Sequence, residues 1–301
     1  MTGAIMRFID LDVDLVCDGV VRMDAGGPFG LVPRNLYERY LTPDSGNTVP
    51  MVLTCMLVRS RGVTILIDTG LGDKLTSDDI RQWGLKRMGG GLLEALAARG
   101  VAPDDIDIVI NTHLHADHCG GNTHKDGDAV VATFPRAEYC VQRIEWAEAS
   151  HPDDRTRGTY LSENFTPLMT KGKLRLLHGD TEITDQVYCV VTPGHTRGHQ
   201  SVVLQAGEWR GLFVGDMASY AVHFARTAWL TAYDVLPLEN IVTKRRWQRW
   251  ALENGAWLFF EHDPVMPVAR LVESDGRREI EPIERAQPLI ASLPTQLQPH
   301  G

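Results

Sequence analysis

The sequence predicts a layered α/β protein, with β-sheets inside and helices outside. Two β-rich runs, at about residues 51–68 and 174–215, alternate with segments whose apolar residues recur at helical spacing. The chain has 301 residues, of which 43% are hydrophobic, so it can bury a large core without a disulfide or a structural metal. Any metal site is therefore expected to be catalytic.

The first β-rich run begins with a hairpin, since residues 51–59 and 63–68 are both rich in β-branched and apolar side chains. A helix is predicted at 91–99 because Leu92, Leu93 and Leu96 share one face and Gly100 can cap it. The next predicted elements are a buried strand at 106–111, strands at 129–133 and 137–141, a helix at 142–150, and a loop or lid at 151–172.

The second run repeats the pattern of strand, loop and polar residue. Its predicted elements are strands at 174–178, 187–192, 201–205 and 211–215, a helix at 241–253, and a buried strand at 256–261. The basic residues Lys244, Arg245, Arg246 and Arg249 on that helix are interpreted as a solvated face. We expect one domain over 1–301, with an N-terminal loop extension at about 18–50 and a flexible tail at about 286–301.

The net charge and the spacing of the cysteines limit the functions and the location that we expect for the chain. Lys and Arg total 30 against 39 Asp and Glu, a net charge of −9, whereas a protein that wraps a phosphate backbone carries the opposite balance. Nucleic acid is therefore not an expected partner. The five cysteines form no C-x-x-C pair, which indicates reduced thiols and a cytoplasmic location. We expect no signal or transit peptide and no contact with a membrane, because no continuous apolar segment is long enough.

The strongest functional signal is a cluster of histidines directly after the strand predicted at 106–111. It places His113, His115, Asp117 and His118 within six residues. A strand points alternate side chains to one side, so His113 and His115 can converge on one ion while Asp117 and His118 face a second. Three imidazoles and a carboxylate would be costly to hold together without a cation. The spacing therefore predicts a metal site.

Further metal-ligating side chains come at comparable places later in the chain. His195, Asp216 and His262 each stand at the end of a predicted strand, as His113 does. Imidazole and carboxylate groups bind zinc, iron, manganese and cobalt, so the ligand types do not choose among these metals.

With these residues in place, the sequence resembles the metallo-β-lactamase superfamily, an αββα four-layer sandwich of two central mixed β-sheets flanked by helices. That family carries H-x-H-x-D-H and then a His, an Asp and a His at one sheet edge, and this chain has all of them between about Val52 and about Pro264. The resemblance implies two divalent metal ions, with zinc as the default. It assigns His113, His115 and His195 to the first metal, Asp117, His118 and His262 to the second, and Asp216 to both.

The implied reaction is hydrolysis. Two divalent ions about 3.5–4 Å apart share a water and lower its pKa, so no serine or cysteine nucleophile is required. We expect a metal-bridging hydroxide to attack the carbonyl of a lactone or ester, and Asp117 to shuttle the proton. By the same resemblance, His199 and Asp68 support the ligands without binding metal.

Two stretches, at 193–201 and 260–264, resemble the quorum-quenching N-acyl-homoserine-lactone lactonases. Those lactonases carry a Tyr three residues after the bridging Asp, where this chain has Ser219. Tyr220 and His223 are therefore the candidates for contacting substrate, and a buried aromatic or structural role is the alternative for each.

Three other functions compete with the lactonase. The same metal site could serve a phosphotriesterase similar to methyl parathion hydrolase or a thioesterase similar to glyoxalase II. A binding or redox protein on this fold is disfavoured, because none of the ligand positions is lost. A homodimer is common among related lactonases. The apolar side chains of the N-terminal extension are compatible with a dimer or with packing on their own domain; they are Met23, Phe29, Leu31, Leu36 and Tyr37.

Overall fold

The structure, a computed structural model, describes residues 5–286. All but the first residue of the tail expected at 286–301 lies outside the described residues. In the described range no helix combines the length and apolarity needed to cross a membrane. The cysteines in this range are free thiols, and all but Cys17 are buried. The cytoplasmic location stays a prediction.

The strands are β1 (Met6–Phe8), β2 (Leu11–Asp24), β3 (Thr48–Ser60), β4 (Val63–Ile67), β5 (Ile108–Ile110), β6 (Thr123–Asp126), β7 (Ala129–Ala132), β8 (Glu138–Gln142), β9 (Leu174–Leu177), β10 (Thr181–Thr184), β11 (Val187–Val191), β12 (Gln200–Ala206), β13 (Trp209–Phe213), β14 (Trp257–Phe259), β15 (Val268–Ser274) and β16 (Arg277–Pro282). The α-helices are α1 (Gly26–Phe29), α2 (Arg34–Tyr37), α3 (Ser77–Trp83), α4 (Leu92–Ala97), α5 (Ala116–Cys119), α6 (Arg143–Ser150), α7 (Thr166–Thr170), α8 (Ala221–Ala225) and α9 (Pro237–Asn254).

Two seven-stranded mixed sheets form the centre of the molecule. The first has the order β1-β2-β3-β4-β5-β8-β9, antiparallel up to β4 and parallel beyond it. The second has the order β10-β11-β12-β13-β14-β15-β16, in which only β13 and β14 are parallel. Strands β6 and β7 form a separate small hairpin.

The alternation of side chains along each strand decides what the sheets bury. In β12, Val202 and Leu204 join the core between the two sheets, which also takes Met56 and Ile67 from the first sheet. Val203, between them in sequence, points to the opposite face. The inner faces of both sheets therefore share one apolar core.

Helices cover the outer faces. Helix α4 buries Leu92 and Leu96 against the first sheet, and α9 buries Trp247 and Ala251 against the second. The layers are therefore helix, sheet, sheet, helix, and the predicted αββα sandwich is confirmed.

The N-terminal extension differs from the expectation. Residues 18–24 are not a loop: they continue β2 and pair with β3 as far as Asp24 and Thr48. Long pairing with β3 outweighs the turn character of the glycines and aspartates here. In the remainder of the extension, Phe29 and Tyr37 pack on their own domain, while Leu31 and Leu36 are exposed. The homodimer stays a prediction.

Six strands were not predicted, namely β1, β2, β6, β10, β15 and β16. Along β16 the charged residues are mostly exposed, so the strand lacks the apolar alternation that would mark it in the sequence. The strand forms because β16 pairs with β15 over its full length.

The basic run on α9 also differs from the expectation. Arg245, Arg246 and Arg249 are exposed, but Lys244 is fully buried. Lys244 lies on the same helical face as Trp247 and Gln248, at spacings of three and four residues. Its ammonium donates to the carbonyls of His223 and Trp229 at 3.2 and 2.6 Å.

Candidate metal centre

The metal-ligating side chains meet at one edge of the sandwich. The segment from His113 to His118 follows β5. His195 follows β11, Asp216 follows β13, and His262 follows β14. All of these positions except Asp117 are buried. Four separate strand ends thus bring the predicted ligand side chains to one place.

One cluster contains His113, His115 and His195, whose candidate ligand atoms all lie within 4.8 Å of one another. The Nε2 atom of His195 is 3.0 Å from Nδ1 of His115. The Nε2 atoms of His113 and His115 are buried and have no hydrogen-bond partner. These three rings are the ones the sequence assigns to the first metal.

A second cluster contains Asp117, His118 and His262. The Nε2 atoms of His118 and His262 lie 3.3 Å apart. An Asp117 carboxylate oxygen lies 3.8 Å from each of them. These are the residues expected at the second metal.

Asp216 lies between the two clusters. Its Oδ2 is 3.2 Å from Nε2 of His195 and 3.5 Å from Nε2 of His118, and its Oδ1 is 3.2 Å from Nε2 of His262. The shortest contact of the carboxylate with each cluster is therefore made by a different oxygen, which is the arrangement that a bridging ligand requires.

The donor atoms fit divalent cations. His262 donates from Nδ1 to the carbonyl of Val52 at 2.9 Å, so Nε2 of the neutral ring carries a lone pair. The Nδ1 atom of His118 lies 3.1 Å from carboxylate oxygens of Asp68 and Glu261. With the proton of the neutral ring on Nδ1, Nε2 of His118 also carries a lone pair. Two lone pairs 3.3 Å apart repel each other unless a cation binds both.

The electrostatics of the site also favour a cation. Burial disfavours a charged imidazole at His262, yet the carboxylates of Asp216 and then Glu261 together outweigh it and raise the pKa to about 9. The pKa of His195 is raised against burial by Asp216 and then by Asp234. Burial, and then the neighbouring imidazoles, lower the pKa of His113. Burial, and then His195, lower the pKa of His115. Both rings are therefore neutral and available as ligands.

Asp68 and His199, the two residues expected to support the ligands, both contact residues of the candidate centre. Asp68 accepts hydrogen bonds from the backbone and hydroxyl of Thr112 at 2.8 and 2.7 Å, besides contacting His118. His199 accepts from the backbone N–H of Asp216 at 3.0 Å. Burial lowers the pKa of His199 to about 3, so it accepts as a neutral ring.

Besides Glu261 at His118, sequence reasoning missed the carboxylates of Asp234 and Glu145. Asp234 lies 3.0 Å from Nδ1 of His195 and is also held by Thr231 and Asn240 at 3.0 Å each. It orients His195 so that Nε2 faces the cluster. No local pattern marks Asp234, because it lies in a loop 39 residues after its partner.

Glu145, at the start of α6, is the other missed carboxylate. It is fully buried and accepts hydrogen bonds from Leu114 N at 3.0 Å, Tyr160 Oη at 3.0 Å and Thr196 Oγ1 at 2.6 Å. Leu114 stands between two ligands and Thr196 follows a third, so Glu145 joins the two ligand loops. A Cβ on Gly198 would lie 2.3 Å from Glu145 N, so only glycine allows this close approach.

The substrate candidates are buried beside the site. The Tyr220 hydroxyl donates to the carbonyl of Pro50 at 2.9 Å, and Ser219 donates to Asp216 at 2.9 Å. The His223 ring packs edge-on against Phe29 and Tyr220, and neither of its nitrogens has a hydrogen-bond partner. Substrate contact by Tyr220 or His223 stays a prediction.

Comparison with known proteins places these features in a family. The model of the metallo-beta-lactamase superfamily matches residues 49–240. An N-acyl homoserine lactonase of a Bacillus species is 27% identical over 234 residues, covering 74% of this chain and 85% of the relative. The N-acyl homoserine lactonase AttM of Rhizobium radiobacter is 25% identical, covering 69% of this chain and 80% of the relative.

Solved structures share the fold. A probable metal-dependent hydrolase from Staphylococcus aureus superposes with a TM-score of 0.84 at 26% identity, over 93% of this chain and 99% of the other. AidC, described as a dizinc quorum-quenching lactonase, superposes with a TM-score of 0.75 at 18% identity, over 94% of this chain and 97% of the other.

Proposed function

Since the chain belongs to the metallo-β-lactamase superfamily, and is a metal-dependent hydrolase, we propose that it is a two-metal lactonase that opens N-acyl-homoserine lactones. The observation that carries the proposal is the position of Asp216, which presents one carboxylate oxygen to each of two ligand clusters. A single-metal site would not need this arrangement.

His113, His115 and His195 would hold one ion, Asp117, His118 and His262 the other, and Asp216 both. When bound, such a pair of ions lowers the pKa of a shared water and polarises the substrate carbonyl. Zinc is the default because imidazole and carboxylate ligands suit it, and these ligands also suit iron, manganese and cobalt.

Asp117 is the residue that can move the proton. Its side chain is 13% exposed, whereas those of His118 and His262 are fully buried, so Asp117 alone of these three reaches solvent. Asp117 takes the proton as water adds to the carbonyl; the bond between the carbonyl carbon and the ring oxygen then breaks, and Asp117 returns the proton to that oxygen, which leaves as an alcohol. Opening one lactone yields one carboxylic acid, which releases a proton at neutral pH.

Cysteine does not supply a nucleophile at this site. Cys119, next to the ligand motif, donates its thiol to Leu114 O at 3.2 Å, and burial raises its pKa. A neutral, engaged thiol is not reactive. This supports activation of water rather than formation of a covalent intermediate.

The proposed substrate class is supported by relatives named N-acyl homoserine lactonase, which align with most of the chain. The experiment is to measure proton release after addition of N-hexanoyl-homoserine lactone to the metal-loaded protein, with Asp216→Asn as the control. Release that the variant lacks supports the lactonase.

An absence of release from a protein with two bound metals would overturn the lactonase. The same loaded protein is then assayed with methyl parathion and with a glutathione thioester. Turnover of one of these would assign the site to a phosphotriesterase or to a thioesterase.

A further inference from the structure

A cavity of about 210 Å³ opens against the metal ligand His115 and is also lined by Arg155, Thr159, Tyr233 and Val235. It is a place where a small substrate could reach the ligand cluster. Within residues 5–286, the phenol hydroxyl of Tyr233 has no hydrogen-bond partner.

The other hydroxyls around the site are engaged by the protein. They donate as follows: Ser219 to Asp216, Tyr220 to Pro50, Tyr160 to Glu145, and Thr159 to Thr156. Tyr233 therefore differs from its neighbours, because its hydroxyl is available to a bound molecule.

The backbone around Tyr233 is fixed to the metal centre. Ala232 N donates to Gly27 O at 2.8 Å, and Val235 N donates to His195 O at 2.9 Å. Arg155 donates to the carbonyls of Ala232 and Asp234 at 2.7 and 3.1 Å. The tyrosine thus stands on a segment held on both sides, as a preorganised binding group requires.

Gly27 makes room for the hydroxyl. A Cβ at this position would lie 1.9 Å from Oη of Tyr233 and 2.5 Å from Cζ. Any larger residue at position 27 would push the phenol ring out of its place.

The surroundings keep the phenol protonated. Burial, followed by the carboxylates of Asp117 and Asp216, raises the pKa of Tyr233 to about 12. The hydroxyl is therefore a hydrogen-bond donor at neutral pH. Tyr233 and His115, a residue of the first ligand cluster, line the same cavity, which puts the phenol beside the place of reaction.

We infer that Tyr233 contacts the substrate and donates a hydrogen bond to the lactone carbonyl oxygen, where negative charge develops as water adds. This inference rests on the proposed lactonase function. It assigns the donor to the loop that also carries Asp234, and not to Ser219 or Tyr220, whose hydroxyls are engaged. A fixed donor at such an oxygen acts mainly in the transition state.

The test is Tyr233→Phe, which removes one oxygen atom. We expect kcat for N-hexanoyl-homoserine lactone to fall about 10²-fold with little change in KM. The affinity for the ring-opened product, measured by calorimetry, should weaken about tenfold because the donor also reaches its carboxylate. Metal content and thermal midpoint should stay as in the wild type. Tyr188→Phe, whose hydroxyl donates to Asp185 O far from the ligand loops, is the matched control.

A second variant, Gly27→Ala, tests the same idea through the position of the ring. It should reduce kcat while metal remains bound, and it should add little in a Tyr233→Phe background, because the hydroxyl is already gone. Unchanged kcat and product affinity in Tyr233→Phe would overturn the inference while the lactonase stands. A loss of kcat matched by a loss of metal would overturn it as well. If the wild-type protein opens no lactone, the proposed function fails, and this inference fails with it.

Discussion

The Nε2 atoms of His118 and His262 face each other at 3.3 Å, although the two residues are 144 positions apart in sequence. Each ring has its Nδ1 turned to another acceptor, a carboxylate for His118 and the carbonyl of Val52 for His262. Both Nε2 lone pairs therefore point at one position, where a cation would bind both.

The first prediction concerns metal content. The wild type should hold two equivalents of divalent metal per chain, and His262→Ala should retain about one, because the other cluster keeps all three imidazoles. Elemental analysis after dialysis measures this. His178→Ala removes an exposed histidine and should leave both metals in place. Equal metal content in His262→Ala and the wild type would show that His262 is not a ligand.

The second prediction separates a bridging ligand from its support. Loss of a residue that orients a ligand costs about 10- to 100-fold in activity or metal affinity, and loss of a ligand shared by two metals should cost more. We therefore expect Asp216→Asn to lose more than about 10²-fold in kcat, and His199→Ala to lose less than Asp216→Asn. Steady-state kinetics on protein of known metal content tests this order. The reverse order would make His199 a direct ligand.

The third prediction concerns Glu145, the buried carboxylate that joins the two ligand loops. Glu145→Gln replaces a carboxylate by a neutral amide with one acceptor oxygen, so the hydrogen bonds from Leu114, Tyr160 and Thr196 lose the charge of their acceptor, and one hydroxyl must turn to accept from the NH₂ group. Stability should fall by about 1–3 kcal/mol. Metal affinity should fall by about 10- to 100-fold.

Denaturant unfolding and competition with a chelator measure these two effects. Glu148→Gln, on the same helix, breaks only a half-exposed pair with Arg197 and should change neither by much. If Glu145→Gln were as stable as Glu148→Gln and bound metal with the same affinity, Glu145 would not position the two ligand loops.

The fourth prediction is a pH dependence of stability that arises from Lys244. Burial lowers its pKa from 10.5 to about 8. Between these pH values the unfolded chain binds a proton that the folded protein does not, so folding becomes more favourable as the pH rises. Across that range Lys244 should add up to about 3 kcal/mol to the free energy of unfolding.

The measurement compares denaturant unfolding at about pH 8 and pH 10.5 for the wild type and for Lys244→Met. The free energy of unfolding should rise between these two pH values in the wild type, and this rise should be absent in Lys244→Met. Lys171→Met, which changes an exposed lysine, should keep the gain. An equal gain in Lys244→Met would assign the pH dependence to other groups.

The fold, and the side chains that meet at the candidate metal centre, could be predicted from sequence because their signals are local. Apolar runs such as 63–68 mark buried strands, and the histidines that follow β5 stand within six residues of one another. The expectations that the structure corrects also have physical reasons. Residues 18–24 form a strand because they pair with β3, and Lys244 is buried because it lies on the face of α9 that packs against the protein.

By itself, the sequence determined the donor types and their places at strand ends, since both are written in short stretches of chain. Only the tertiary structure decided which atoms face each other. It placed one Asp216 oxygen toward each cluster and set Glu145 between two ligand loops. It also engaged the Tyr220 hydroxyl and left that of Tyr233 available. The reason is that these contacts join residues far apart in the chain, so their geometry depends on how the two sheets pack.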